Sequence, residues 1–172
     1  MLLAAAVAAV LGGGVLLAVF QPWLLVVDVT VAEDLPDARP APTPDPTVSI
    51  VPLPGVPVEV ARGEFISHEH TTTGVATIVE NPDGSRVLAL AGLSTSNGPD
   101  LHVWLSAADV VEGRDGWFTA GSAAYVDLGP LKGNLGDQVY EIPVDADLDG
   151  IRSVTIWCVR FSVSFGAAQL TG

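Results

Sequence analysis

A chain of 172 residues has room for one domain, or for a domain with an appendage. Its formal charge of −13 argues against nucleic acid and anionic membrane surfaces as partners. The single cysteine, Cys158, excludes an intrachain disulfide and with it a disulfide-stapled mini-domain.

Residues 1–27 carry no charged side chain. About 20 apolar residues suffice to cross a bilayer as a helix, so the run is long enough to be one N-terminal transmembrane anchor. Gly12 to Gly14 weaken it as a soluble helix but are tolerated in lipid, and Gln21, Pro22 and Trp23 look like an interfacial edge. A cleaved signal peptide is the competing reading, but the run lacks a basic start, a small-x-small cleavage site and a lipobox cysteine. The acidic residues Asp28, Glu33, Asp34 and Asp37 just beyond it favour an outward-facing remainder. The localisation expected is therefore the cell membrane, single-pass, with the C-terminal part extracytoplasmic.

Residues 28–58 are expected to be a linker. Within them, 36–57 ("PDARPAPTPDPTVSIVPLPGVP") hold eight of the thirteen prolines. Such a segment favours an extended, semi-rigid stalk of roughly 3.1 Å per residue. From Glu59 to Gly172 short β-type runs alternate with turn signals, spaced as in an all-β fold. Asp83-Gly84 in "NPDGS" marks a hairpin between "GVATIVE" and "RVLALAGL". The fold expected over 59–172 is a single all-β domain, an antiparallel sandwich or barrel. Its fifteen acidic against six basic side chains leave it at −9.

The most strand-like run is "SVTIWCVRFSVSF", residues 153–165. With a period of two, Trp157, Val159, Phe161, Val163 and Phe165 form an apolar core face. Cys158 then falls on the opposite face, which turns polar past it, with the Arg160 guanidinium about 7 Å further along the strand. A neighbouring cation favours a thiolate or pairs with a haem propionate.

His68 and His70 form an H-x-H pair that a strand would place on one face, with a spacing able to chelate a metal. Solvated or hydrogen-bonded histidines are the alternative. His102 shares a face with Trp104, as a packed pair or as a third ligand to His68 and His70. Blue copper is disfavoured because no histidine follows Cys158 and the only methionine is Met1. The absence of C-x-x-C-H removes covalent c-type haem but leaves haem held by Cys or His open. "DADLDG", Asp145 to Gly150, reads as an acidic turn, since Ile156 stands where a calcium loop needs its glutamate. No G-x-S-x-G, H-E-x-x-H or phosphate-cradling loop is present, which argues against a stand-alone enzyme.

Four stretches, "GEFISHEHTTTGVATI", "LSTSNGPDLHVWLS", "LGPLKGNLGDQVYEIP" and "SVTIWCVRFSVSFGAAQL", together resemble the DM-thirteen ("electron transfer DM thirteen") domain, commonly found beside DOMON domains. They cover nearly all of residues 62–170, and the anchor-plus-one-domain layout is similar to that of actinobacterial, membrane-anchored members. The resemblance implies a β-sandwich-like fold and an extracytoplasmic setting. It maps the family's cysteine, a proposed redox thiol or haem ligand, onto Cys158, with Trp157 beside it. It maps the family's histidine onto His70, and it leaves His68 outside the pattern. No DOMON or cytochrome partner lies on this chain, so electron transfer would need a separate redox partner protein.

Three readings follow. The first is a membrane-tethered extracytoplasmic electron-transfer domain using Cys158 as a redox thiol or haem ligand, with His70, Trp157 and Arg160 around it. The second is an envelope-binding or adhesion module in which Cys158 is structural. The third is a metal-binding domain using His68, His70 and His102.

Overall fold

The computed structural model describes residues 2–40 and 55–172. Of the linker expected over 28–58, residues 41–54 lie outside the described residues. So do Met1 and the side chains of residues 2–9 and of Leu25, which belong to the expected anchor.

The charge-free N-terminal run is not one continuous helix. Ala and Leu, both strong helix formers, carry α1 (Leu2–Phe20), a 19-residue helix about 28 Å long at 1.5 Å per residue. It stops because Gln21 takes a left-handed conformation (φ 44°) and Pro22, which cannot serve a helix interior, opens a separate 3-10 turn over Pro22–Val26. Among the described residues no helix is long and apolar enough to cross a membrane.

Ten strands follow among the described residues: β1 (Thr30–Ala32), β2 (Arg39–Pro40), β3 (Val58–Ser67), β4 (Thr73–Glu80), β5 (Arg86–Ser94), β6 (Leu101–Ser106), β7 (Tyr125–Pro130), β8 (Leu135–Ile142), β9 (Ser153–Cys158) and β10 (Val163–Gln169). They form one sheet in the order β1-β8-β5-β4-β3-β10-β9-β6-β7, with β2 paired to β3 off that path. The pairings are antiparallel except for β1 with β8 and β2 with β3. The expected all-β character holds, but the architecture is a single curled sheet, a half-barrel, rather than a sandwich. β3 makes the bend: Val58 to Glu64 pair with β4, and Phe65 to Ser67 pair with β10. The Asp83-Gly84 hairpin forms as read, with Gly84 at φ 83° and the Asp83 carboxylate accepting hydrogen bonds from the Ser85 backbone and hydroxyl.

The curl closes over one core. Inward positions alternate as the pleat requires: Leu101, Val103 and Leu105 on β6 face Val154, Ile156 and Cys158 on β9, with Leu88 and Leu90 of β5 opposite. Each such aliphatic side chain contributes roughly 1.5–3 kcal/mol by leaving water. Outside, of two short 3-10 turns in the loop after β6, Arg114–Phe118 packs against β10 and Ala120–Ser122 against Trp157 of β9, and all six β9 residues are buried. Trp104, Trp157 and Ala120 form a second, smaller cluster there.

The described residues between 28 and 40, expected as linker, run along the domain. β1 lies on β8 in parallel, and the Val29 amide donates to Asn134 Oδ1 at 2.7 Å. Lys132 Nζ donates to both Glu33 carboxylate oxygens at 2.8 Å and to the Val139 carbonyl at 2.6 Å. Gly136 permits the close approach: its φ is 99°, and a Cβ there would collide with the Val31 carbonyl.

Candidate functional site

The β9–β10 hairpin positions Cys158. Residues 153–165 are not one strand: β9 ends at the cysteine, Val159 to Ser162 turn the chain, and β10 begins at Val163. Ser162 takes a left-handed φ of 53°, the place a glycine would ordinarily mark. This reverses the expected faces of β9, while Val163 and Phe165 of β10 hold their expected places in the core. Cys158 points into the main core with Val154 and Ile156 and is 0% exposed, whereas Trp157 points to the outer cluster. Val159 and Phe161, expected in the core, are partly exposed on the turn.

Burial pushes the Cys158 thiol pKa up from its ordinary value, because desolvation disfavours the thiolate. The backbone N–H groups of Phe161 and Arg160 act the other way, favouring negative charge on sulfur, and the Asp100 and Glu69 carboxylates raise it further. The net direction is a protonated thiol at neutral pH. The Arg160 guanidinium plays no part in activating it. It donates instead to the carbonyls of Val19 (2.9 Å) and Ala18 (3.3 Å) at the end of α1, where orphan carbonyls favour a cation.

His70 lies just past β3, its ring 3.9 Å from that of Phe165 and its Nε2 3.9 Å from Glu69. With Phe20, Pro99, Phe161 and Phe165 it lines a cavity of about 240 Å³. Cys158 does not line that cavity, and the volume falls below the roughly 300–1,000 Å³ of small-molecule sites. With the sulfur enclosed and the cavity this small, the residues as arranged do not fit a haem between Cys158 and His70.

His68 occupies a different environment, because β3 ends at Ser67 and the pair does not share a strand face. It is buried, and a 2.7 Å hydrogen bond joins Nδ1 to Ser164 Oγ, which is 2.8 Å from Thr155 Oγ1. Its Nε2 has no hydrogen-bond partner, although the Val111 carbonyl lies close enough to favour a proton there. Desolvation outweighs that carbonyl and lowers the His68 pKa. His102 projects from the outer face of β6 as expected, with Nδ1 2.9 Å from Asp127 and Nε2 3.5 Å from Asp100. Among the described residues no group of three or more His, Cys, Asp or Glu side chains could hold a metal ion, so His68, His70 and His102 do not form the expected ligand set.

Two features escaped the sequence. Thr72, fully buried, bonds to Thr95 Oγ1 (2.8 Å), to the Phe165 carbonyl (3.0 Å) and to the His70 carbonyl (3.2 Å), tying the histidine loop to β10. On the outer face Trp157 stacks on Trp104 (5.0 Å, 22°), and Trp104 on Tyr125 (3.8 Å, 6°). Alternation put Trp104 and Trp157 at outward positions or core positions of single strands; only the β6–β9 and β6–β7 pairings bring the three rings together.

A family model described as "Electron transfer DM13" matches residues 64–170, more than half of the chain. Neither the curated proteins nor the solved structures compared give a match. The matched span runs from late β3 to the end of β10 and contains the hairpin, the histidine loop and the stacked rings. The chain therefore belongs to the electron transfer DM13 family.

Proposed function

We propose that the chain is a membrane-tethered, extracytoplasmic electron-transfer domain in which the Cys158 thiol is the redox group and a separate protein is the partner. Membership of the family supports the redox role in outline. The observation that carries the finer reading is the setting of the sulfur. Cys158 is enclosed, yet only the turn Val159 to Ser162 follows it, and two N–H groups of that turn favour charge on the sulfur. The thiol is thus guarded against adventitious chemistry and opened by displacement of a short surface turn. Tethering rests on the charge-free run 1–27, as in the anchored actinobacterial layout, and the acidic stretch after it favours the outside.

To test this, membranes holding the full chain are equilibrated with a glutathione thiol–disulfide couple, which oxidises a lone thiol by forming the mixed disulfide and releasing one glutathione thiol, then denatured, alkylated and weighed by mass spectrometry. A reversible change in the alkylatable fraction of Cys158 is expected. A thiol that stays fully reduced across the range of that couple would overturn the role.

The second reading, an envelope-binding module with a structural cysteine, is favoured by the place of Cys158 beside Val154 and Ile156 in the core. In that case Cys158→Ser costs about 1–3 kcal/mol of stability by burying a hydroxyl, and the chain exchanges no electrons.

A further inference from the structure

A groove on the outer face of β6 and β9 lies apart from Cys158, which points the other way into the core. Its volume is about 420 Å³, larger than the cavity at His70 and within the roughly 300–1,000 Å³ of ligand sites. Trp104 and Trp157 line it from below, at 6% and 3% exposed, whereas Phe118 of the loop after β6 and Tyr125 of the edge strand β7 are each 48% exposed at its rim. Large rings left half in water beside a groove mark surface that a ligand can cover. Ser122, Ser162 and Tyr125, all exposed, bring hydroxyl groups to the same groove. No charged side chain lines it, in a domain with fifteen acidic side chains. Ser162 also holds a left-handed φ of 53°. A glycine would take that conformation without strain, but it would remove a hydroxyl from the groove, and backbone strain of this kind gathers at ligand sites.

We propose that this groove is a binding site for a neutral glycan. A pyranose ring has a face of C–H groups and a rim of hydroxyls. The C–H face packs on aromatic rings, whose negative π surface attracts the slightly positive hydrogens. The rim hydroxyls exchange hydrogen bonds with Ser122, Ser162 and Tyr125, each of which both donates and accepts. A charged sugar would give up hydration here and meet no opposite charge in return. A wholly apolar ligand would leave the three protein hydroxyls without partners where it covers them. Because Phe118 and Tyr125 are half exposed, the groove is a surface slot that admits a chain of sugars. The site does not rest on the redox reading, and the failure of either leaves the other standing.

The test is a calorimetric titration of the full chain, held in a polyoxyethylene detergent that has no sugar headgroup. Cellotetraose, maltotetraose and mannotetraose are the neutral probes, and at least one should bind saturably. Tetragalacturonate and tetraglucosamine, anionic and cationic chains of the same length, should bind more weakly. Phe118→Ala and Tyr125→Ala, which trim half-exposed rings, should each weaken the bound tetraose by about three- to tenfold. Ser162→Gly should weaken it by about the same factor while keeping or raising the melting temperature, because it relieves the strained φ. A merely structural role for Ser162 would move the melting temperature and leave the affinity alone. Failure of all three neutral tetraoses to bind would overturn the site. So would a charged chain that binds as tightly as the best neutral one, or an affinity unchanged in all three variants.

Discussion

Burial keeps His68 neutral, and that has a direct consequence for stability. Its folded pKa lies below the ordinary value of 6.5 while the unfolded chain titrates near that value. Below it the unfolded state binds the extra proton and the folded state does not, so stability is fully present above pH 6.5 and falls as the pH drops through the lowered folded value. Chemical unfolding between pH 7.5 and about 5 should show this decline, and His68→Gln should flatten it. Cys158 has the opposite sense: its raised pKa leaves stability intact in the neutral range and erodes it only as the pH climbs past the unfolded thiol value. At this scale the identities were legible in the sequence and the surroundings were not. The singular thiol, the pair His68 and His70, and His102 beside Trp104 were all visible. What was not visible was that His68 would bond Ser164, ninety-six positions away, and that His70 would stack on Phe165.

β9 and β10 show why one strand was read where there are two. Both faces of β9 are buried, so no polar face disclosed its parity, and the turn that ends it contains neither Gly nor Pro. The β4–β5 hairpin, by contrast, announced itself through Asp83-Gly84, because a turn needing positive φ selects glycine. β1 was missed for a related reason: three residues beside a proline-rich segment carry no periodicity, and their pairing is fixed from outside by Lys132, Asn134 and Gly136. Gly136→Ala should push the Val31 carbonyl away and strain a φ of 99°. The expected loss is about 1–3 kcal/mol, with faster amide exchange at the β1–β8 pairing than at the β4–β5 hairpin. Equal protection at both places after the substitution would contradict the strap described for residues 28–40.

The curled sheet places the parts of the molecule in relation to one another. α1 ends against the β9–β10 turn, where Phe20 stacks on Phe161 (5.7 Å) and Arg160 caps the helix, so the turn beside the thiol faces the proposed tether. At the opposite flank β1 covers the edge of β8, an edge that would otherwise offer unpaired backbone groups. A chain shortened to residues 28–172 should therefore stay monomeric in sedimentation, while one shortened to 41–172 should self-associate through β8; equal behaviour of the two would show that the edge needs no cover. All-β class was legible in the spacing of short apolar runs after Glu59. Closure into one curled sheet was not, since it depends on β3 changing partner midway, and periodicity is silent on pairing. In the proposed function Cys158 is the residue through which the chain exchanges electrons. A titration of the full chain against a thiol–disulfide couple, counting electrons per protein, decides this: the native protein should be reversibly oxidised and re-reduced and Cys158→Ala should not, and identical titration curves for the two would contradict the redox role.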